Sequence, residues 1–102
     1  MLELRPTCEA CGKDLPSESL DARICSFECT FCVECVETIL FDVCPNCGGG
    51  FSPRPIRPKR EHRSGAFLGA APASAVPVEK PVDPDTHAHF AAALKDIPPQ
   101  DR

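Results

Sequence analysis

The sequence predicts a small metal-stabilised domain with two four-cysteine sites, a short β-hairpin and one short helix, followed by a disordered Pro/Ala-rich tail. Three observations predict it. Eight cysteines fall in four close pairs, Cys8-x2-Cys11, Cys25-x3-Cys29, Cys32-x2-Cys35 and Cys44-x2-Cys47, with none later in the chain. Each pair has the reach to hold one side of a metal ion, and four pairs make two tetrahedral all-cysteine sites, the donor set of structural zinc. The cysteine region spans about half of the 102 residues, too little chain to offset its conformational entropy with apolar burial alone, so it needs staples. Composition then changes abruptly: nine of the twelve prolines lie at position 53 or later.

Zinc is favoured over disulfides as the staple. The opening Met1-Leu2-Glu3-Leu4-Arg5-Pro6 has no basic segment leading into an apolar run, so the expected location is the cytoplasm, where thiols stay reduced. Cys29, Cys32 and Cys35 also crowd into seven residues, which suits metal knuckles better than a bridge framework. No stretch reaches the roughly 20 apolar residues of a spanning helix. The most apolar part of the tail, Ala66 to Val78, is interrupted by Pro72 and Pro77.

Leu2 and Leu4 alternate with Glu3 and Arg5, the period of a short strand. In the first knuckle, Cys8 to Lys13, Gly12 can take positive φ just after the second ligand. Lys13 to Ala22 is polar and reads as a loop. Ile24, Phe27 and Phe31 among cysteines suggest a hairpin over 23–31. After Cys35, Val36 to Phe41 predicts about two helical turns with Val36, Ile39 and Leu40 on one face. Cys44-Pro45-Asn46-Cys47 is the last knuckle, stopped by Gly48-Gly49-Gly50. Residues 54–63 are basic and extended, and 65–84 read as a flexible linker. Asp85-Thr86 can cap a helix over His87 to Asp96, ended by Pro98, with Phe90, Leu94 and Ile97 on one face.

Charge narrows the function. Residues 1–50 carry Glu3, Glu9, Asp14, Glu18, Asp21, Glu28, Glu34, Glu37 and Asp42 against Arg5, Lys13 and Arg23, a formal charge of −6. Thiolates around two Zn²⁺ would add to it. Such a head repels phosphate backbones. Contact with nucleic acid is left to Arg54, Arg57, Lys59, Arg60 and Arg63, a run without the aromatic residues that stack bases. Eight thiolates on two metals leave no open coordination position for catalysis. A thioredoxin-type Cys-x2-Cys would need a βαβ setting that the pattern lacks. His62, His87 and His89 read as solvated tail residues, not ligands.

Four pairs can be joined sequentially, or interleaved so that first meets third and second meets fourth. A short helix between Cys35 and Cys44 suits interleaving. The run Cys25 to Cys35, then eight residues, then Cys44-Pro45-Asn46-Cys47, with Phe31 just before Cys32, resembles the RING-type cross-brace pattern. LIM domains have a similar run but pair sequentially. The RING resemblance covers residues 8–47 and implies Cys8, Cys11, Cys32 and Cys35 on one zinc, and Cys25, Cys29, Cys44 and Cys47 on the other. Cys29 stands where most RING domains have His. Glu9-Ala10 replaces the usual aliphatic contact of ubiquitin ligases, and Gly48 stands where such ligases often have Arg. The opening Met-Leu-Glu-Leu-Arg-Pro-x-Cys also resembles a family of small bacterial cysteine-rich proteins, a domain of unknown function, which implies a bacterial cytosolic protein.

The expected organisation is a two-zinc RING-like domain at 1–50, a disordered Pro/Arg/Ala-rich linker at 51–84, and a tail at 85–102 holding a short amphipathic helix. The expected role is non-enzymatic protein–protein interaction, with no membrane contact and a protein partner. A ubiquitin-ligase-type RING is one alternative. A nucleic-acid-associated zinc protein acting through 54–63 is the other. If binding falls on the short helix and its neighbouring knuckles, the contact patch would include Ala10, Ile39, Phe41 and Pro45.

Overall fold

The computed structural model describes all residues, 1–102. The hairpin forms where the pattern places it. β1 (Ala22–Ile24) pairs antiparallel with β2 (Thr30–Cys32), in the register Ala22↔Cys32 and Ile24↔Thr30. The turn between them carries Cys25 and Cys29, and Glu28 takes φ 66° to close it, its N–H donating to Cys25 O at 3.0 Å. The expected strand at Leu2–Leu4 is absent. Leu4 is buried, but local pairing there is limited to the single Thr7↔Asp14 bridge across the first knuckle.

β2 runs directly into α1 (Val33–Cys35), capped by the Cys32 Sγ, which accepts from Cys35 N. The helix then widens into a π turn (Val36–Leu40). Val36 and Leu40 are buried and Ile39 packs beside them, the shared face the spacing predicts. The chain stops at Phe41 (φ 54°) and Asp42 (φ 56°), two consecutive left-handed residues that are not glycine. Such a pair persists only when its surroundings hold it. Here Asp42 Oδ1 accepts from Phe51 N at 3.0 Å and Asp42 O accepts from Arg102 Nη1 at 2.9 Å.

The sheet does not end at residue 50. β3 (Ser52–Pro53) adds to the free edge of β1, giving the order β2-β1-β3. An edge strand tolerates Pro53, which has no N–H to donate, so a proline-rich composition concealed a strand. Phe51, just before β3, meets buried Phe31 edge-to-face at 5.4 Å between centroids. The core is thin. Only 19 of 102 residues are buried, six of them cysteines, so sulfur stands where a larger domain would place aliphatic carbon.

Residues 51–84 depart from the disordered linker that their composition suggests. Arg54 is buried with no carboxylate partner: its guanidinium donates to Arg5 O (2.8 Å), Leu15 O (3.2 Å) and Pro16 O (3.0 Å). Arg57 donates to Leu2 O and Ala71 O. Ser74 N bonds Leu4 O, and Lys80 N bonds Glu9 O. The segment is therefore tied down by donors satisfying loop carbonyls, an accounting that buried backbone demands and that no apolar period signals. It also removes Arg54 and Arg57 from the supposed phosphate-facing run.

The tail helix, α2, spans Pro84–Ala92 and starts earlier than expected. Its cap is Asp83: Oδ1 accepts from Asp85 N and Oδ2 from Thr86 Oγ1, both at 3.0 Å. Pro84 at the first helical position makes Asp83 the natural cap. The buried face is rotated relative to the expected one. His87 and Ala91 point inward, while Phe90 is 44 % exposed. His87 is thus not solvated; its Nε2 lies 2.9 Å from Leu40 O. A 3-10 turn (Pro99–Asp101) completes the chain. No helix is long and apolar enough to cross a membrane.

Candidate metal centre

The first and last knuckles are built alike. Cys8 N donates to Lys13 O (2.9 Å) and Gly12 N to Cys8 O (2.9 Å). Cys44 N donates to Gly49 O (2.8 Å) and Gly48 N to Cys44 O (2.8 Å). In each, a glycine at positive φ, Gly12 at 77° and Gly48 at 79°, turns the chain after the second cysteine. This turn lets both sulfurs of a Cys-x2-Cys pair face the same side.

The knuckles bring two sulfur groups together. Cys8, Cys11, Cys32 and Cys35 have Sγ atoms all within 4.8 Å of one another. The first pair comes from the N-terminal knuckle, and the other two from the end of β2 and the end of α1. Cys11 and Cys32 are 3.8 Å apart. That matches the edge, about 3.8 Å, of a tetrahedron with metal–sulfur bonds of about 2.3 Å. The second group is Cys25, Cys44 and Cys47. Cys29 stands at its margin: it is buried and its thiol lies beside that of Cys25, but it falls outside the 4.8 Å set. Along the chain the groups alternate, first pair with third and second with fourth. The fold thus joins segments about twenty residues apart.

The donor chemistry fits a metal. All eight cysteines are free thiols. Several sulfurs receive N–H donors: Phe27 N to Cys25 at 3.3 Å, Cys35 N to Cys32 at 3.4 Å, Gly49 N to Cys47 at 3.4 Å, and Asn46 Nδ2 to Cys29 at 3.4 Å. Donors of this kind stabilise thiolate and orient ligands. Burial pushes the thiols of Cys29, Cys32, Cys35 and Cys44 up, and the charge of neighbouring thiols adds to it. At Cys8, burial acts the same way, but hydrogen bonds from the backbone of Cys11, Cys32 and Ala10 outweigh it and hold the thiol low. Thiols that resist ionisation release protons when a cation takes their place, so metal uptake and proton release are linked here. A sulfur-only set of four suits zinc or another thiophilic metal.

Two residues beside the sulfurs were not singled out from the sequence. Asn46 supplies the bond to Cys29, and its place inside Cys-Pro-Asn-Cys was the available signal. Glu9, by sequence one of the nine acids of the head, is 2 % exposed. Its Oε2 takes Arg5 Nη1 at 2.8 Å and the Thr30 N–H, while Oε1 has no partner. Arg5 four residues earlier was the signal. The pair fastens the first knuckle to β2, with Glu9 N donating to Thr30 O at 3.0 Å. His62 and His89 join no sulfur group.

Two alternating cysteine groups beside a small three-stranded sheet make a cysteine-rich domain whose clusters could hold metal ions. The chain belongs to the family described as protein of unknown function (DUF1272), which matches residues 1–57. An uncharacterised protein, R02474, of Rhizobium meliloti (strain 1021) is 53 % identical over 81 residues, 79 % of this chain and 89 % of that protein. A match of that length reaches beyond residue 57, so the likeness extends past the segment that the family covers. No solved structure matches.

Proposed function

We propose that this protein is a two-zinc module of RING-like cross-brace type, which binds protein partners in the cytoplasm and performs no chemistry of its own. The observation that supports this most is the alternation of two sulfur-only groups through one thin core. Four thiolates fill a tetrahedral metal, so each site serves the fold and offers no vacancy to substrate. Cys29 is assigned as fourth ligand of the second site, because its buried thiol lies beside that of Cys25. The rigid head then presents side chains on an acidic background. Phe41 is 42 % exposed at the end of the π turn, beside a cleft of about 400 Å³ that includes Arg23, Glu37 and Phe51. Arg54 and Arg57 facing inward weigh against a phosphate track through 54–63. A bacterial relative weighs against the ubiquitin-ligase reading.

The test has two parts. Native mass spectrometry of the full chain purified without added metal should show two Zn²⁺ per molecule; one, or none, refutes the assignment. Affinity capture with the full chain should return a partner that is lost after chelation. Capture no richer than a metal-stripped control removes the interaction role.

A further inference from the structure

The fold divides the basic run in two. Arg54 and Arg57 turn inward and donate to loop carbonyls, whereas Lys59, Arg60 and Arg63 stand exposed. None of these three has a carboxylate partner, since every ion pair of the molecule lies within residues 3–21. The inward arginine holds the outward cations in place. Arg57 Nη1 donates to Ala71 O at 2.7 Å and Nη2 to Leu2 O at 2.8 Å, so one guanidinium joins the two ends of the segment 57–71 and ties them to the head. Inside the segment, Leu68 N donates to Pro58 O (2.9 Å), Ala66 N to Arg63 O (3.0 Å) and Ala71 N to Phe67 O (2.9 Å). Compact surface loops whose ends meet in this way are frequently functional. The one acid at the tip, Glu61, is engaged by the loop itself: Oε2 accepts from Gly65 N at 3.1 Å, where Gly65 takes φ 73°.

At the foot of this loop lies a cleft of about 260 Å³, lined by Leu2, Leu4, Pro55, Ile56, Arg57 and Pro58. Ile56 is 49 % exposed there. A mostly apolar cleft that runs into exposed cations suits an apolar side chain flanked by negative charge. Two kinds of anionic chain carry such charge, and the rest of the molecule separates them. A nucleic-acid duplex bears one charge per about 1.7 Å of its axis. It extends well beyond a single loop, into the field of a head whose formal charge is −6 over residues 1–50. No Phe, Tyr or Trp lies within 58–66 to stack a base, and a phosphate backbone has nothing apolar to place beside Ile56. A short acidic peptide segment ends where the cations end and uses the cleft as well.

We propose that the loop 57–71 is a docking element and that its partner is an acidic segment of another protein, with one apolar residue seated against Leu2 and Ile56 and flanking carboxylates paired with Lys59, Arg60 and Arg63. The proposal rests on the interaction-module reading and names its surface and the partner's chemistry. Exposed ion pairs are individually weak and screened by salt, so the contact is reversible and falls with ionic strength.

The experiment uses the full chain and a fluorescent peptide in which a leucine is flanked on each side by three glutamates. At low ionic strength the peptide should bind, read by anisotropy, and added salt should weaken it. Lys59→Ser, Arg60→Ser and Arg63→Ser together remove three exposed charges and should weaken the peptide about tenfold. Native mass spectrometry and a thermal melt of that variant should match the wild type, because none of the three side chains joins the head. Replacing the peptide's leucine by glycine should weaken binding about fivefold or more, with the protein unchanged. No binding at low salt, equal binding by the triple variant, or equal binding of the glycine peptide overturns the proposal. Tighter binding of an oligonucleotide of equal charge overturns it in favour of a phosphate contact. Dimerisation of the free chain that the triple variant abolishes overturns it in favour of the acidic head of a second copy. Failed partner capture would remove the module reading and leave peptide binding intact; failed peptide binding removes only the role of the loop.

Discussion

The two knuckles share a backbone and differ in what covers them. Gly12 and Gly48 have nearly the same φ, 77° and 79°, and close the same pair of hydrogen bonds. Yet a Cβ on Gly12 would meet nothing within 4 Å, whereas one on Gly48 would press into Leu94 and Phe90. Glycine at the first knuckle answers a conformational need alone. At the last it answers that need and a packing need as well. One local structure, used twice, has been left bare at one end and built over at the other.

The largest effect should ignore the difference. If both cysteine groups hold structural zinc as proposed, chelation removes it from both knuckles, and such a metal supplies of order 10 kcal/mol of folding free energy per site. EDTA should therefore collapse the circular dichroism spectrum and the exchange protection of both knuckles and of α2. A native-like spectrum after metal removal would mean that apolar burial alone holds the head.

The next effect should separate them. Gly12→Ala costs the left-handed penalty, about 1–2 kcal/mol. Gly48→Ala costs that and an overpacking term of about 1–3 kcal/mol, because Leu94 must move. Thermal melts of the zinc-loaded proteins should rank wild type, Gly12→Ala, Gly48→Ala in falling order. Exchange protection over 87–95 should drop only in the last. Equal melts for the two variants would show that the tail presses less firmly on the last knuckle than the contact implies.

A smaller, wholly one-sided effect is expected from His87→Ala. The buried ring loses its bond to Leu40 O, and an unpaired buried carbonyl costs about 1–3 kcal/mol. Leu40 O also accepts from Val43 N, which keeps the loss toward the low end. Amide exchange over α2 should rise while the first knuckle and its metal stay as they were. Slowed metal uptake at Cys8 and Cys11 would contradict the separation.

This asymmetry also marks where the sequence could be read. Cysteine spacing is a local code, so both knuckles, the hairpin and the shared face of Val36 and Leu40 were legible. The alternation of the two cysteine groups was suggested by the length of the Cys35–Cys44 segment together with the resemblance to the RING pattern. The helix of the tail was legible, but the way residues 51–102 are fastened to the head was not, for a physical reason. The anchors are Arg54, Arg57 and Arg102 donating to loop carbonyls, and carbonyls are present at every position, so no residue type announces them. A basic, proline-rich run looks solvated unless the orphan acceptors it satisfies are known. His87 was concealed in the same way, its partner being a backbone oxygen 47 residues away. Cys29 shows the limit on the site itself: spacing assigns it to a ligand set, and the structure sets it at the margin of that set.

The smallest effect concerns the cap of α2, which has no counterpart at the first knuckle. Asp83 holds Asp85 N–H and, with its other oxygen, the Thr86 hydroxyl, and these bonds keep its carboxyl below the usual carboxylate range. A carboxyl depressed in the folded state adds stability above its unfolded pKa and loses it as pH falls through the folded value. α2 should therefore loosen as acid passes below the ordinary range for aspartate. The other titratable groups lining the groove beside α2 are Lys80 and His87, and Asp85 stands in the first turn of α2; all three are common to wild type and variant, so the comparison below isolates Asp83. Metal release complicates acid titrations of any thiolate site, so the comparison is with Asp83→Asn, a residue that caps nearly as well and does not titrate. Wild type should show slower α2 exchange than the variant at neutral pH, and the gap should close on acidification before either knuckle loses its metal. A gap that persists at low pH, or one that never exists, would place the start of α2 under the control of Pro84 and the groove, with the Asp83 charge contributing nothing.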